Sequence, residues 1–297
     1  MKISATFTLA ILIGSLTYPQ STRAASVSPP NPLTGLGRLH GINTAGKAVG
    51  HTLGDDDSEG LIYDNGTITK IQIPNSVSVK AFGIEDNGRV VGSYHEIDPV
   101  THAATGKTHG FLYVTGDVTN IDYPGADITF ARGINNAQTI VGYYRSSDGH
   151  HHGFSYSNNS FKTIDVTGAL NTYVTGISNA GDIVGHYTDA TADSNGNHHE
   201  HGFVSDKNGK VTTFNASVFG VVAADTFAYG INSLGIIVGS YIDDGGQTHG
   251  YIDILNFYIP LDLPGIALAH GSFVEGISDS NLLTLFGSVA FLSSVTQ

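Results

Sequence analysis

One frame, repeated along the whole chain, constrains the fold more than any other feature. A Gly-Ile pair recurs at Gly41, Gly83, Gly133, Gly176, Gly230 and Gly276, at intervals of 42, 50, 43, 54 and 46 residues. In the first five copies a Val-Gly pair places its Gly nine positions later, at Gly50, Gly92, Gly142, Gly185 and Gly239. A third landmark follows at Gly60-Leu61, Gly110-Phe111, Gly153-Phe154, Gly202-Phe203 and Gly250-Tyr251. His precedes it in four of the five copies, as His109, His152, His201 and His249, and Glu59 stands there in the first.

Each copy holds four short apolar runs separated by turn residues. In the third copy they are 129–134, 139–144, 153–156 and 161–166. Their length and their β-branched and aromatic content predict strands, and none shows a helical period. Asn and Gly in the intervening turns, as in Asp86-Asn87-Gly88 and Asp64-Asn65-Gly66, supply the positive φ of tight hairpins. A four-stranded antiparallel unit repeated at this period predicts an all-β, six-bladed β-propeller, in which each blade covers its neighbour's faces. An open β-solenoid is the competing arrangement. The sixth copy ends after three runs, so the segment Ser26 to Leu36 is expected to complete the last blade and leave no long free edge. Pro29, Pro30 and Pro32 are compatible only with an edge strand.

The first residues follow the export pattern. Lys2 precedes an apolar run from Ile3 to Leu16, and Thr22 and Ala24 are small. Residues 1–24 are therefore expected to be a signal peptide, and 25–297 a single domain of 297 − 24 = 273 residues. The expected location is secreted, extracellular or periplasmic, with no membrane span in the mature chain. The chain has 13 basic and 26 acidic residues. That balance disfavours contact with phosphate backbones, so no nucleic-acid partner is expected. The absence of Cys removes a disulfide framework and leaves stability to the core.

The frame Gly-Ile-Asn, Val-Gly, His-Gly-Phe and Ile-Asp-x-Pro-Gly (Ile121-Asp122-Tyr123-Pro124-Gly125) resembles the extracellular HAF repeat. The resemblance covers roughly residues 33 to 292. It departs in having Gly for the Ala of the name, Glu59 for the first His, and no triplet in the sixth copy. It implies an exported bacterial protein of repeat architecture, and it brings no catalytic residues.

Candidate sites come from where the frame breaks. The distance from the second landmark Gly to the third is 10, 18, 11, 17 and 11 residues. Insertions therefore fall at Ser93 to His109 and His186 to His201, both on the face that carries the blade-to-blade loops, where binding is expected. The residue before Gly-Ile also varies, as His40, Phe82, Arg132, Thr175, Tyr229 and Glu275. If the first strand lines a central channel, His40, Arg132, Tyr229 and Glu275 are the ligand-binding candidates. An ordinary Arg132–Glu275 ion pair is the plain alternative. The frame histidines read as structural hydrogen-bonders. Asp122, Asp165 and Asp262 recur, so they read as turn or cap devices. His150, His151, His198 and His199 are the weaker candidates for metal ligation, but they lack ligand spacing. No metal and no cofactor is expected.

The main reading is an extracellular binding module that recognises a glycan or a protein through the insertion face. The alternative is a propeller enzyme, a hydrolase or lyase on a carbohydrate or lactone, with its site at the channel mouth. A structural matrix component stands third.

Overall fold

The computed structural model describes residues 37–54, 57–218, 220–261 and 273–284, and the backbone alone of 26–27, 31–32, 285–286 and 290–296. The expected signal peptide lies outside these residues. Among the described residues every regular element is a strand. The third repeat forms Ile128–Ile134, Ile140–Arg145, His151–Ser157 and Ser160–Ile164, paired antiparallel in chain order. The first, second, fourth and fifth repeats give the same four-strand order. One parallel bridge, Ile128 opposite Thr108, links the sheets of the second and third repeats. In the sixth, Phe273–Ile277, Leu282–Phe286 and Ala290–Thr296 pair antiparallel. Ser26–Val27 and Asn31–Pro32 pair with the last of these strands, Ser26 opposite Thr296 and Pro32 opposite Phe291.

The first strands of successive repeats touch one another in a cycle, the sixth touching the first. Two glycine positions explain the approach. A Cβ on Gly83 would meet Arg132 O and the Cα of Gly133, one on Gly176 would meet Tyr229 O, and one on Gly276 would overlap His40 O. The Gly of each Gly-Ile pair is thus where neighbouring backbones come closest. The Val-Gly glycine answers a different need. A bulge in the first strand, as between Ala131 and Gly133, turns a carbonyl toward the second strand, where a Cβ on Gly142 would overlap Phe130 O.

The core lies between sheets. Val91 from the second repeat packs with Ala131, Ile134, Ile140 and Phe154 from the third, and Val141 packs with Val174 and Phe203 from the fourth. Phe111, Phe154, Phe203 and Tyr251 of the third landmark are completely buried, each contributing on the order of 2 kcal/mol of transfer free energy. The Asn of Gly-Ile-Asn serves two repeats at once. Asn135 Oδ1 accepts the Thr139 N–H at 3.0 Å, capping its own hairpin, and its Nδ2 donates to Ser178 O of the next repeat at 3.1 Å.

Two expectations need correction. The repeated Asp is not a turn or cap device. His109 Nδ1 lies 2.8 Å from Asp122 Oδ2 and His152 Nδ1 lies 3.0 Å from Asp165 Oδ2, so the Asp partners the frame His across the third and fourth strands. In the fourth repeat Asn215 takes that place on His201 at 2.7 Å; Asp262 is outside the described residues. The insertions are also not loops throughout. Val90–Ile97 and Ala104–Val114 extend into one long hairpin, turned by Asp98, which accepts the N–H groups of Val100 and Thr101 at 2.9 and 2.7 Å.

Candidate site at the channel mouth

Strand alternation sends every second residue of each first strand toward the axis. The six residues that precede Gly, with the Gly-Ile pairs themselves, line a single axial cavity of about 80 Å³. His40, Arg132, Tyr229 and Glu275 are all on its wall, together with Phe82 and Thr175. The six isoleucines also border a second cavity on the hairpin side, so they form an apolar constriction between two polar ends. The register Ser76 opposite Glu96 places the long 98–103 turn at the end of the sheet where the first strand begins. The charged cavity therefore opens toward the insertion face.

The expected Arg132–Glu275 pair does not form. Glu275 is held by His40 and Arg38: Oε2 is 3.2 Å from His40 Nδ1 and Oε1 is 3.4 Å from Arg38 Nη2. Burial pushes its carboxyl up, but His40, Arg38 and Arg132 outweigh burial and bring it down to about 2. His40 Nε2 in turn lies 3.0 Å from His51 Nδ1, and both rings are buried. Burial holds His40 below its ordinary value against the pull of Glu275, and burial and the neighbouring His40 bring His51 to about 3. Two neutral rings fix the tautomers. His40 donates Nδ1–H to the carboxylate and accepts from His51 Nδ1–H, which leaves His51 Nε2 as a lone-pair acceptor.

Arg132 is differently placed. Its guanidinium carbon sits 4.0 Å above the Phe82 ring, a cation–π contact. Its Nε is buried with no acceptor among the described residues. His186 Nδ1 is likewise buried without a partner, and burial, with Arg132 nearby, lowers His186 to about 3. Tyr229 OH bonds Ser240 Oγ at 3.1 Å, and burial pushes its phenol far up. Thr175 Oγ1 donates to Ala228 O at 2.7 Å, stitching the fourth repeat to the fifth.

Above Arg132 runs an aromatic wall. Phe130 stacks on Tyr143 at 4.9 Å, Tyr143 meets Tyr173 edge-on at 5.1 Å, Tyr173 stacks on His186 at 4.9 Å, and His186 meets Phe227 at 5.1 Å. These rings are half-buried. The register explains them: Phe130 opposes Tyr143 and Tyr173 opposes His186. The sequence reading named neither Arg38, His51 nor this wall, and His186 only as the start of an insertion. A signal existed, because the residue after the Val-Gly glycine varies as freely (His51, Ser93, Tyr143, His186, Ser240) as the residue before Gly-Ile.

The remaining candidates stay apart from the cavity. His151 Nδ1 lies 3.2 Å from Tyr173 OH, His198 Nδ1 is 2.8 Å from Asp189 O, and His199 Nδ1 is 3.2 Å from Asp225 Oδ1. His150 offers its backbone N–H to Asp148 at 3.0 Å. Among the described residues no group of three or more His, Cys, Asp or Glu is arranged to hold a metal ion. No helix among them is long and apolar enough to cross a membrane.

No family model and no curated relative matches the sequence. Solved structures do. TolB from Acinetobacter baumannii aligns with TM-score 0.55 and 12% identity over 84% of this chain, which spans 63% of TolB. A gluconolactonase from Xanthomonas campestris aligns with TM-score 0.51 and 10% identity over 92% of this chain and 90% of its own. The β-propeller domain of a Pyrococcus furiosus protease aligns with TM-score 0.46 and 10% identity over 92% of this chain and 97% of its own. At these identities the likeness is one of fold alone, and that fold is the β-propeller.

Proposed function

We propose that this chain is an exported six-bladed β-propeller of repeats like the HAF repeat, its last blade completed by the N-terminal segment. Its site is the channel mouth, where it acts as a hydrolase or lyase on a carbohydrate or lactone. One observation carries the reading: the four residues that break the repeat, His40, Arg132, Tyr229 and Glu275, share one cavity under the insertion face. The Glu275–His40–His51 chain fixes the ring tautomers and leaves His51 Nε2 as an oriented lone-pair acceptor for a substrate hydroxyl or water. Arg132 and Tyr229 orient the substrate. The gluconolactonase among the structural neighbours agrees with the lactone class.

The experiment is a turnover assay of the purified protein against lactones, glycosides and polysaccharides, following ring opening, glycoside cleavage and formation of unsaturated products. Turnover of one class, lost in His51→Asn and Glu275→Gln with folding retained, is the expected result. A silent panel overturns the enzyme reading. The binding-module reading is favoured by the long hairpin on the same face, with Val100 83% exposed at its turn. A glycan array or pull-down signal that survives Glu275→Gln and disappears when residues 98–103 are shortened would assign that function instead.

A further inference from the structure

We propose that the ligand of the channel mouth is an acidic sugar, its carboxylate seated on Arg132 and its ring against the aromatic wall. This rests on the channel mouth being the functional site, and it names the chemical class that site selects.

Charge is the first argument. The chain carries a formal net charge of −13, yet the same face of its first strands holds Arg38, Lys80 and Arg132 against Glu275 and Asp225, and Asp225 is engaged by His199 and the Glu200 N–H. Glu275 is already engaged by Arg38 and His40. His40, His51 and His186 are held neutral by burial, so they add no charge. Lys80 lies within electrostatic reach of His51, and neither it nor Arg132 has an ion-pair partner among the described residues. A positive mouth in an acidic protein focuses anions.

Arg132 supplies the second. Buried polar groups in folded proteins are nearly always hydrogen-bonded, so the orphaned Nε of Arg132 calls for an acceptor. With Phe82 covering one face of the guanidinium, its planar N–H edge is the part left for a ligand, and that edge matches a carboxylate in bidentate fashion. His186 Nδ1, also without a partner, adds a polar contact on the same side.

Size and shape supply the third. A cavity of about 80 Å³ takes a carboxyl group and a few waters, since each water needs roughly 10–15 Å³ of such volume. The rest of the ligand must lie above it, along half-buried Phe130, Tyr143, Tyr173 and Phe227. Flat aromatic faces carry negative potential and attract the weakly positive C–H face of a pyranose. A small inorganic anion would leave that wall bare, and a neutral sugar would leave Arg132 orphaned. Of the three, a carboxylated sugar uses both.

The test compares D-galacturonate, its neutral amide and D-galactose by calorimetric titration of the whole protein. Galacturonate is expected to bind at least tenfold more tightly than the other two, with the advantage falling as salt rises. Arg132→Gln should abolish the preference and Arg132→Lys should keep part of it, each checked for folding by its melting temperature. The acid-against-amide comparison on the wild type needs no variant. Equal binding of the three sugars, or a preference that survives Arg132→Gln, overturns the acidic-sugar assignment and leaves the channel-mouth function standing. No binding of any of the three overturns the assignment, and a blank lactone and glycoside panel beside it takes the functional reading down as well.

Discussion

His40 Nδ1 lies 3.2 Å from Glu275 Oε2, a contact between residues 235 positions apart. It joins the first strand of the first repeat to the first strand of the sixth. Thr284 Oγ1 donates to His40 O at 2.7 Å beside it. The junction between the two ends of the repeat array is therefore polar and buried, and it coincides with the candidate site.

Glu275→Gln should cost about 3 kcal/mol at neutral pH, because it leaves a partly buried Arg38 without its carboxylate. The folded pKa of Glu275 is about 2, below its ordinary value of 4.5. Its contribution is therefore complete above the ordinary value and is lost as pH falls toward 2. Urea unfolding at pH 7 and near pH 2 should show the gap between wild type and variant closing at the acid end; a gap of constant size would remove the electrostatic account.

The buried histidines should make the fold acid-sensitive well above the carboxylate range. His51 and His186 both fall from 6.5 to about 3. In the window between those values the unfolded chain binds protons that the folded chain refuses. Stability is complete above 6.5 and declines toward 3, by roughly 1.4 kcal/mol per pH unit per group as an upper bound. His186→Phe should flatten the stability profile between pH 6 and 4 by roughly 1 kcal/mol per unit. The measurement is denaturant unfolding across that range, and an unaltered slope refutes the assignment.

Gly142→Ala should be among the most damaging single-methyl changes in the chain. The new Cβ would overlap Phe130 O, and backbone must move to relieve it, at a cost of about 3 kcal/mol. Gly149→Ala has open space around it and a φ of +89°, so only the conformational cost of about 1 kcal/mol applies. Melting temperatures of the two variants should differ accordingly.

The frame His–Asp pair should show measurable coupling. His109 is 17% and Asp122 33% exposed in their side chains, so solvent screens the pair only in part. A double-mutant cycle of His109→Ala and Asp122→Ala should give a coupling of about 1 kcal/mol. A coupling near zero would reduce the pair to surface decoration.

Much of the architecture was legible because the repeat writes local rules six times over. In the third repeat the runs 129–134 and 161–166 appear as Ile128–Ile134 and Ser160–Ile164, since hairpins with Asn and Gly turns are decided by neighbouring residues. The site was half legible. His40, Arg132, Tyr229 and Glu275 stood out because each breaks the frame at one axial position. His51, His186 and Tyr143 lie on the second strand, opposite Arg38, Tyr173 and Phe130, so their place beside the site follows from strand register. His–Asp pairing was missed for a similar reason, since thirteen residues of separation say nothing of cross-strand distance.

Sequence alone determined the strands, the turns and which positions face inward, because those follow from short-range sterics and period-two alternation. The tertiary structure decided which charges meet. Glu275 is taken by His40 and Arg38 rather than by Arg132, since strands from opposite ends of the chain converge on one axis. That convergence depends on how far each sheet rotates past the last, a quantity no local stretch of residues encodes.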